Sequence, residues 1–151
     1  MNEMSSSLVA ILNEQISCAQ QMLATLAREN QALVDGDADL LNSAGAEKAR
    51  LVEALDSLEH ERRALSDAIG LTFAAASDRT ADDANRPAEW RALLELIAEC
   101  KQQNQRNGAL VKARSEQVRI ALRTLRGTEA ALYDPSGLEH AARSARALGT
   151  A

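Results

Sequence analysis

The chain has few aromatic residues. Its 151 residues include one Phe, one Trp and one Tyr, about 2% of the sequence. A globular core of this size normally relies on aromatic side chains for much of its buried area. Leucine, isoleucine, valine and alanine must supply that area instead. Such residues suit helices that pack closely along narrow seams.

Cysteine and histidine are also scarce. Cys18 and Cys100 are isolated from each other, which predicts buried, reduced thiols rather than a disulfide and favours the cytosol. His60 and His140 stand far apart, without Cys or carboxylate at ligand spacing. The chain has neither a glycine-rich phosphate loop nor a Gly-x-Ser-x-Gly elbow. We therefore expect no metal, no cofactor and no enzymatic activity.

Long apolar runs and an excess of basic residues are missing as well. No run approaches the roughly 18 apolar residues that span a membrane, and residues 1–7 lack the pattern of a signal peptide. The net charge of −5 argues against nucleic acid as a partner, because phosphate recognition needs clustered Lys and Arg. We expect a soluble cytoplasmic protein without stable membrane insertion.

What the sequence does contain is a hydrophobic repeat whose steps alternate between three and four residues. This period of about 3.5 residues is typical of helices wound on one another. The three series are Val9, Leu12, Ile16, Ala19, Leu23, Leu26, Asn30, Leu33; then Leu41, Ala44, Lys48, Leu51, Leu55, Leu58, Arg62, Leu65, Ile69; then Trp90, Leu93, Ile97, Cys100, Asn104, Asn107, Val111, Arg114, Val118, Ala121, Leu125.

Turn-forming residues divide this repeat into three helices. Gly36 and Gly70 can close the first two helices in the left-handed conformation, and Gly127 is placed to end the third. The predicted helices span residues 4–34, 38–69 and 87–126. The third is about 40 residues and ~60 Å long, against about 45 Å for the others. We predict an all-α fold: three long antiparallel helices in a coiled-coil-like bundle, the third outreaching its partners, and a short C-terminal amphipathic helix.

Several seam positions are polar rather than apolar. They are Asn30, Lys48, Arg62, Asn104, Asn107 and Arg114. One interpretation is that they select the register of the helices and exclude wrong pairings. The other is that positions such as Asn104 and Asn107 form a polar groove for a partner helix. The apolar positions that we expect to be buried between helices are Leu51, Leu55, Leu58, Leu93 and Ile97.

The repeat ends before a different kind of tail. We expect residues 1–127 to form an antiparallel helical rod and residues 128–151 to form a binding tail. The tail contains an amphipathic stretch that could fold back on helix three or order only on binding. Tyr133 precedes the turn-forming residues 134–137. It is either a core residue or an exposed anchor for another protein.

Three blocks of residues follow one another along the chain. The first is Glu29-x-x-x-Leu33, Leu40, Lys48-x-x-Leu51, Leu55, Leu58 and Arg62. The second is Asn104-x-x-Asn107-Gly108-x-Leu110, and the third is Leu132-Tyr133-Asp134-Pro135-Ser136-Gly137. By their order and spacing, more than by any one block, the chain resembles the FlgN family of flagellar type III secretion chaperones along most of its length.

The resemblance implies a chaperone that binds the C-terminal helices of the hook-associated proteins FlgK and FlgL before export. It also implies that Tyr133 docks the complex to the export gate protein FlhA. The client-binding residues predicted on this basis are Leu125, Leu132, Leu138, Ala142, Ala145 and Leu148. We expect a monomer or a weak homodimer.

Two other classes remain open from the residues alone. One is a structural coiled-coil adaptor without an export role, which would oligomerise through its seams. The other is a histidine phosphotransfer domain that uses His60. Glu59 and Glu61 flank that histidine and would repel phosphate, so we interpret His60 as a solvated helix position.

Overall fold

The computed structural model describes residues 3–70 and 86–132, with side chains described as far as residue 128. These residues form three helices: α1 (Glu3–Asp35), α2 (Ala38–Ala68) and α3 (Ala88–Leu132). Within the described ranges there is no strand. The prediction of an all-α bundle of three long helices is confirmed, whereas the predicted C-terminal helix lies outside the described residues.

A tight turn joins α1 to α2, as the sequence predicts. Gly36 has a φ of 71°, a conformation that closes helices and that side chains with a Cβ rarely adopt. Asp37 N then donates to the carbonyl of Ala32 at 3.0 Å. The Asp37 carboxylate caps α2 by accepting from Leu40 N at 2.9 Å. Gly70 has a φ of 69° just after α2, in agreement with its predicted role.

Contacts between the helices show that they alternate in direction. Gln15 of α1 contacts Glu59 of α2, while Glu29 contacts Lys48, so α1 and α2 run antiparallel. From α3, Cys100 contacts Ala19 and Asn107 contacts Leu26, which sets α3 parallel to α1. The three helices therefore run up, down and up.

Two apolar clusters form the core. The first contains the buried residues Leu8, Leu12, Ala19, Trp90 and Leu93, and the second contains Met22, Leu26 and Leu51. Of the predicted core residues, Leu51 and Leu93 are each 1% exposed, which confirms those two. Leu55 and Leu58 are half-buried. The prediction for Ile97 is wrong, because that side chain is 46% exposed.

The misplaced Ile97 has a simple geometric cause. On α3 the residues packed against the core include Leu93, Leu96 and Cys100, which lie on one face at steps of three and four residues. The hydrophobic repeat predicted from sequence runs from Leu93 to Ile97, but in the structure Leu96 packs inward in place of Ile97. Both choices satisfy the repeat, so periodicity alone does not distinguish them.

The prediction that Gly127 ends the third helix is also wrong. The helix continues through Gly127 to Leu132, and Gly127 is not among the glycines with a positive φ. A glycine inside a helix costs only about 1 kcal/mol relative to alanine. The residues that follow it include Glu129, Ala130 and Ala131, whose helix propensity is good. The prediction that α3 is the longest helix is confirmed by its 45 residues, against 33 for α1 and 31 for α2.

By compactness the chain divides into two units, Met1–Ala109 and Leu110–Ala151. The described part of the first unit holds both apolar clusters. The described part of the second unit is the helical segment from Leu110 to Leu132.

Candidate protein-binding surface

Asn107 is a buried polar residue of α3 with a complete set of hydrogen bonds. Its side chain is 2% exposed. The amide nitrogen donates to the Leu26 carbonyl at 2.9 Å and to Glu29 Oε2 at 2.7 Å. The amide oxygen accepts from Asn30 Nδ2 and Gln103 Nε2, both at 3.1 Å. Because both donors and both lone pairs have partners, burial leaves no polar atom of this amide unsatisfied.

A lysine from α2 joins the same group. Lys48 Nζ donates to Asn104 Oδ1 at 2.6 Å and lies 3.3 Å and 3.4 Å from the two carboxylate oxygens of Glu29. Glu29 therefore links Lys48 of α2 with Asn107 of α3. We call Glu29, Asn30, Lys48, Asn104 and Asn107 the polar cluster. It joins all three helices, and only one axial alignment of them makes all these bonds.

The polar cluster therefore favours the register interpretation of the polar seam over the groove interpretation. A shift of α3 along its axis would separate the buried amide of Asn107 from its partners Leu26, Glu29 and Asn30 on α1, and each orphaned group would cost about 1–3 kcal/mol. The amide of Asn107 and the Oδ1 of Asn104 are thus used between the helices of the bundle.

A second polar contact group lies near the start of α3. Arg62 is buried and its guanidinium lies 4.7 Å from the centroid of the Trp90 ring. It binds Glu59 through two bonds of 2.8 Å and 2.9 Å. Arg63 Nε and Gln15 Nε2 also donate to that carboxylate, at 2.7 Å and 3.3 Å. The hydrogen bond from Arg62, with help from Arg63, lowers the pKa of Glu59 to about 2, against the opposing effect of burial.

The second unit presents a different surface. Every described side chain from Val111 to Thr128 is exposed. The large apolar residues among them are Val111, Val118, Ile120, Leu122 and Leu125. Leu125 is 63% exposed. Apolar side chains grouped on one surface mark sites of protein interaction, whereas scattered ones do not.

Four of these five residues share one side of the helix. Val111, Val118, Leu122 and Leu125 are separated by seven, four and three residues, the spacing of one helical face. Ile120 falls on the opposite side of the helix, since it is two residues from Val118 and from Leu122. We call the four residues Val111, Val118, Leu122 and Leu125 the apolar face.

The predicted client-binding residues fall partly on this face. Leu125 belongs to it, and Leu132 is the last residue of α3, although its side chain lies outside the described residues. Tyr133, Leu138, Ala142, Ala145 and Leu148 also lie outside them. Sequence reasoning placed Val111 and Val118 in a seam and overlooked Leu122. The predicted excess length of helix three is the signal that part of its seam lacks partners among the residues that the structure describes.

Among the described residues, the remaining reactive side chains form no second site. His60 is exposed, and its Nδ1 lies 3.1 Å from the carbonyl of Asp56. Cys18 and Cys100 are free and half-buried rather than buried as predicted, and burial raises the pKa of the Cys100 thiol. In the part of the chain that the structure describes, no three His, Cys, Asp or Glu side chains are grouped for a metal ion. No described helix is long and apolar enough to cross a membrane.

A comparison with protein families identifies the relationship. The family described as FlgN protein matches residues 1–141. The chain belongs to the FlgN family. No curated protein and no solved structure matches it. The FlgN family is a chaperone family rather than an enzyme family, in keeping with the expectation that the chain is not an enzyme.

The residues that carry the FlgN resemblance have a structural explanation. Glu29 and Lys48 of the first motif block meet Asn104 and Asn107 of the second block in the polar cluster. Leu51 of the first block is buried in the second apolar cluster. These motif residues specify how three helices pack. The apolar face, by contrast, falls between the second and third motif blocks.

Proposed function

We propose that this FlgN-family protein is a cytoplasmic flagellar export chaperone. It binds the C-terminal helices of FlgK and FlgL, prevents their premature assembly and delivers them to the type III export gate. The observation that carries this proposal is the apolar face, on which four large aliphatic side chains of one helix are all exposed. An amphipathic client helix can bury them in the helix-in-groove manner.

The proposed client-binding surface extends the residues predicted from sequence. It joins the apolar face to the predicted residues Leu132, Leu138, Ala142, Ala145 and Leu148. The functional boundary between a rod of residues 1–127 and a tail of residues 128–151 remains part of the proposal. Tyr133 is the proposed contact to FlhA on the basis of the FlgN resemblance, and a tyrosine can supply a rigid apolar ring and one hydroxyl to a protein interface.

The test compares two neighbouring substitutions. The full chain is titrated calorimetrically with the C-terminal segments of FlgK and FlgL. Leu122 is 50% exposed on the apolar face, and Ile120 is 52% exposed on the opposite side of the helix. Leu122→Asn should weaken client binding at least about tenfold, which corresponds to about 1.4 kcal/mol. Ile120→Asn, with equal loss of exposed apolar area, should stay within about twofold, below the cost of an interface hot spot.

If the two substitutions weaken client binding equally, the apolar face is not the client-binding surface. Truncation after Leu132 then separates the helix from the tail. If the tail supplies most of the client surface, the truncated chain loses binding. If the apolar face is sufficient, the truncated chain retains binding and Leu122→Asn abolishes it.

Tyr133→Ala tests delivery separately from capture. We expect this variant to bind the FlgK segment within a few-fold of the unchanged chain and to dock less tightly to FlhA once loaded. A variant that loses the client but keeps FlhA would reverse the assignment of Tyr133. A clear fall in melting temperature would instead favour the core interpretation of this residue, since truncation of a buried aromatic costs about 3–5 kcal/mol.

The exposed apolar face also keeps the structural adaptor open as a second candidate. An adaptor would cover this face with another copy of the chain. Light scattering across a range of concentrations distinguishes the two functions. A monomer or weak dimer that forms an equimolar complex with a client segment supports the chaperone, and a stable higher oligomer without client supports the adaptor.

A further inference from the structure

Charge is distributed unevenly along the chain. Residues 1–109 hold ten basic and eighteen acidic residues, whereas residues 111–128 hold five basic residues and a single acidic one. The segment that carries the apolar face is therefore basic, although the whole chain has a net charge of −5.

The basic side chains are concentrated along one edge of the apolar face. Lys112, Arg119 and Arg126 are spaced by seven residues, which aligns them in a row along the helix. Arg119 precedes Leu122 by three residues and Arg126 follows it by four, so both are its neighbours on the helix surface. We call these three residues the basic row.

The opposite edge of the apolar face carries one charge, Arg114, which lies seven residues before Ala121 in the same row. Its other residues are Gln117, Ala121, Thr124 and Thr128. In helix pairs the positions that flank an apolar seam select the partner and its orientation through their charges. With three basic residues on one edge and one on the other, the face is asymmetric, and a client with a single acidic row fits it best in one direction.

The basic row is available to a partner. Its side chains are exposed, and Lys112 and Arg126 make no ion pair within the part of the chain that the structure describes. Arg119 pairs with Glu116 of the same helix at 2.6 Å. An exposed pair of this kind contributes little and exchanges readily with a better placed carboxylate.

We propose that the client helix bound by the apolar face carries a row of acidic side chains on the edge that meets Lys112, Arg119 and Arg126. This inference rests on the proposed chaperone function and names the chemistry of its partner. The acidic row fixes the direction in which the client lies and speeds its capture, because opposite charges steer association and reject partners with like charges.

The composition of the segment favours an acidic helix over two other occupants. A second copy of this chain would bring the two basic rows together in an antiparallel pair, where like charges oppose association. In a parallel pair each basic row would meet the opposite edge, which contains no carboxylate. Helices that bind membrane surfaces place Trp, Phe or Leu on their apolar face. Residues 111–128 contain Leu but neither Trp nor Phe, so they lack the aromatic anchors of such helices. Both remain outcomes of the test below.

The test uses the full chain and two synthetic peptides as probes. The peptides share the same leucine heptads and differ in one flanking row, which is Glu in one peptide and Lys in the other. At about 50 mM salt the Glu peptide should bind at least tenfold more tightly than the Lys peptide. The difference should shrink at about 1 M salt, where the screening length falls to about 3 Å.

Charge reversal assigns the preference to the basic row. The variant Lys112→Glu/Arg119→Glu/Arg126→Glu should prefer the Lys peptide. The matched control Arg28→Glu/Lys101→Glu/Arg106→Glu changes the net charge equally at exposed positions of the first unit and should keep the preference for the Glu peptide. Circular dichroism spectra of both variants check that the helices persist.

Four results would overturn the inference. The first two are equal binding of the two peptides and an unchanged preference in the basic-row variant. The third is tighter binding to phosphatidylserine vesicles than to the Glu peptide, and the fourth is self-association of the free chain through this face, abolished by Leu122→Asn. If the FlgK and FlgL segments bind through Leu122 but are indifferent to the basic row, the proposed function stands and this inference fails. If neither segment binds, the proposed function itself fails.

Discussion

Residues 3–109 and residues 111–128 contain the same kind of helical repeat and use it differently. In the first region the repeat places Leu51 and Leu93 in a packed core. In the second, it places Val118 and Leu125 in solvent. A heptad pattern therefore states which side of a helix is apolar. Whether that side is buried depends on a partner, and residues 111–128 leave their apolar side exposed.

The polar positions of the repeat also differ between the two regions. Asn107 is buried with four hydrogen bonds, and Lys48 is tied to two other helices. In residues 111–128, the row of Lys112, Arg119 and Arg126 is exposed. One set of polar residues aligns the helices of the bundle, and the other is free to select a partner.

The largest effect that tests this comparison is on stability. Leu93→Ala should cost about 2–5 kcal/mol, the usual loss for a buried leucine. Leu122→Ala, the same substitution on the same helix, should change the free energy of unfolding by less than about 0.5 kcal/mol, as expected at an exposed position. Urea denaturation of both variants measures the difference. Similar losses would show that residues 111–128 are packed in the free chain.

The next effect concerns the polar cluster. Asn107→Ala should lower the free energy of unfolding by about 1–3 kcal/mol, because it removes the four hydrogen bonds of a buried amide and leaves the half-buried carboxylate of Glu29 with Lys48 as its remaining partner in the polar cluster. Gln105→Ala, at an exposed position of the same helix, serves as the control and should be nearly neutral. If Asn107→Ala is equally neutral, the cluster does not hold the register of α3.

A smaller effect should appear at acid pH through Glu59. Since the folded pKa of about 2 lies below the ordinary value of 4.5, this carboxylate stabilises the fold above pH 4.5. That contribution is lost as the pH falls from about 4.5 towards 2. Glu59→Gln should flatten the stability profile in this window, measured by denaturant melts at several pH values. Glu53→Gln removes an exposed acid elsewhere on α2 and should leave the Glu59 contribution in place.

The smallest expected effect is at Gly127. A Cβ added there meets no atom within 4 Å, so Gly127→Ala should stabilise the helix locally by up to about 1 kcal/mol. The helix content should rise slightly, and the melting temperature of the bundle should not change. Gly36→Ala provides the contrast. Its φ of 71° suits glycine, so the substitution should destabilise the α1–α2 turn. A loss of helicity in Gly127→Ala would contradict the helix that continues to Leu132.

Much of the fold could be predicted from sequence because its determinants are local. The periodicity gave the helices, and the glycines at 36 and 70 marked their ends through a backbone conformation that few other residues adopt. The predicted end of helix three at Gly127 was wrong because glycine permits a helix to end without requiring it. The predicted burial of Ile97 was wrong because Leu96, one residue earlier, lies on the core-facing side of the helix and packs inward instead. Such choices depend on the neighbouring helices and not on the local pattern.

The candidate surface was harder to predict for a related reason. The sequence indicated that helix three is the longest and that its end is a binding region. Leu125 was predicted as a client-binding residue, and the structure leaves it exposed. Val118 and Leu122 carry the same kind of side chain as the core residues. Only their exposure in the folded chain distinguishes a binding face from a packed seam.

The most direct test of the central claim is hydrogen exchange on the full chain, with and without the C-terminal segment of FlgK. We expect amides of residues 88–109 to exchange slowly in both states, because they belong to the packed unit. Amides of residues 111–128 should exchange faster in the free chain and become protected when the segment binds. Protection confined to residues 3–109, with no change in residues 111–128, would contradict the assignment of the apolar face as the client-binding surface.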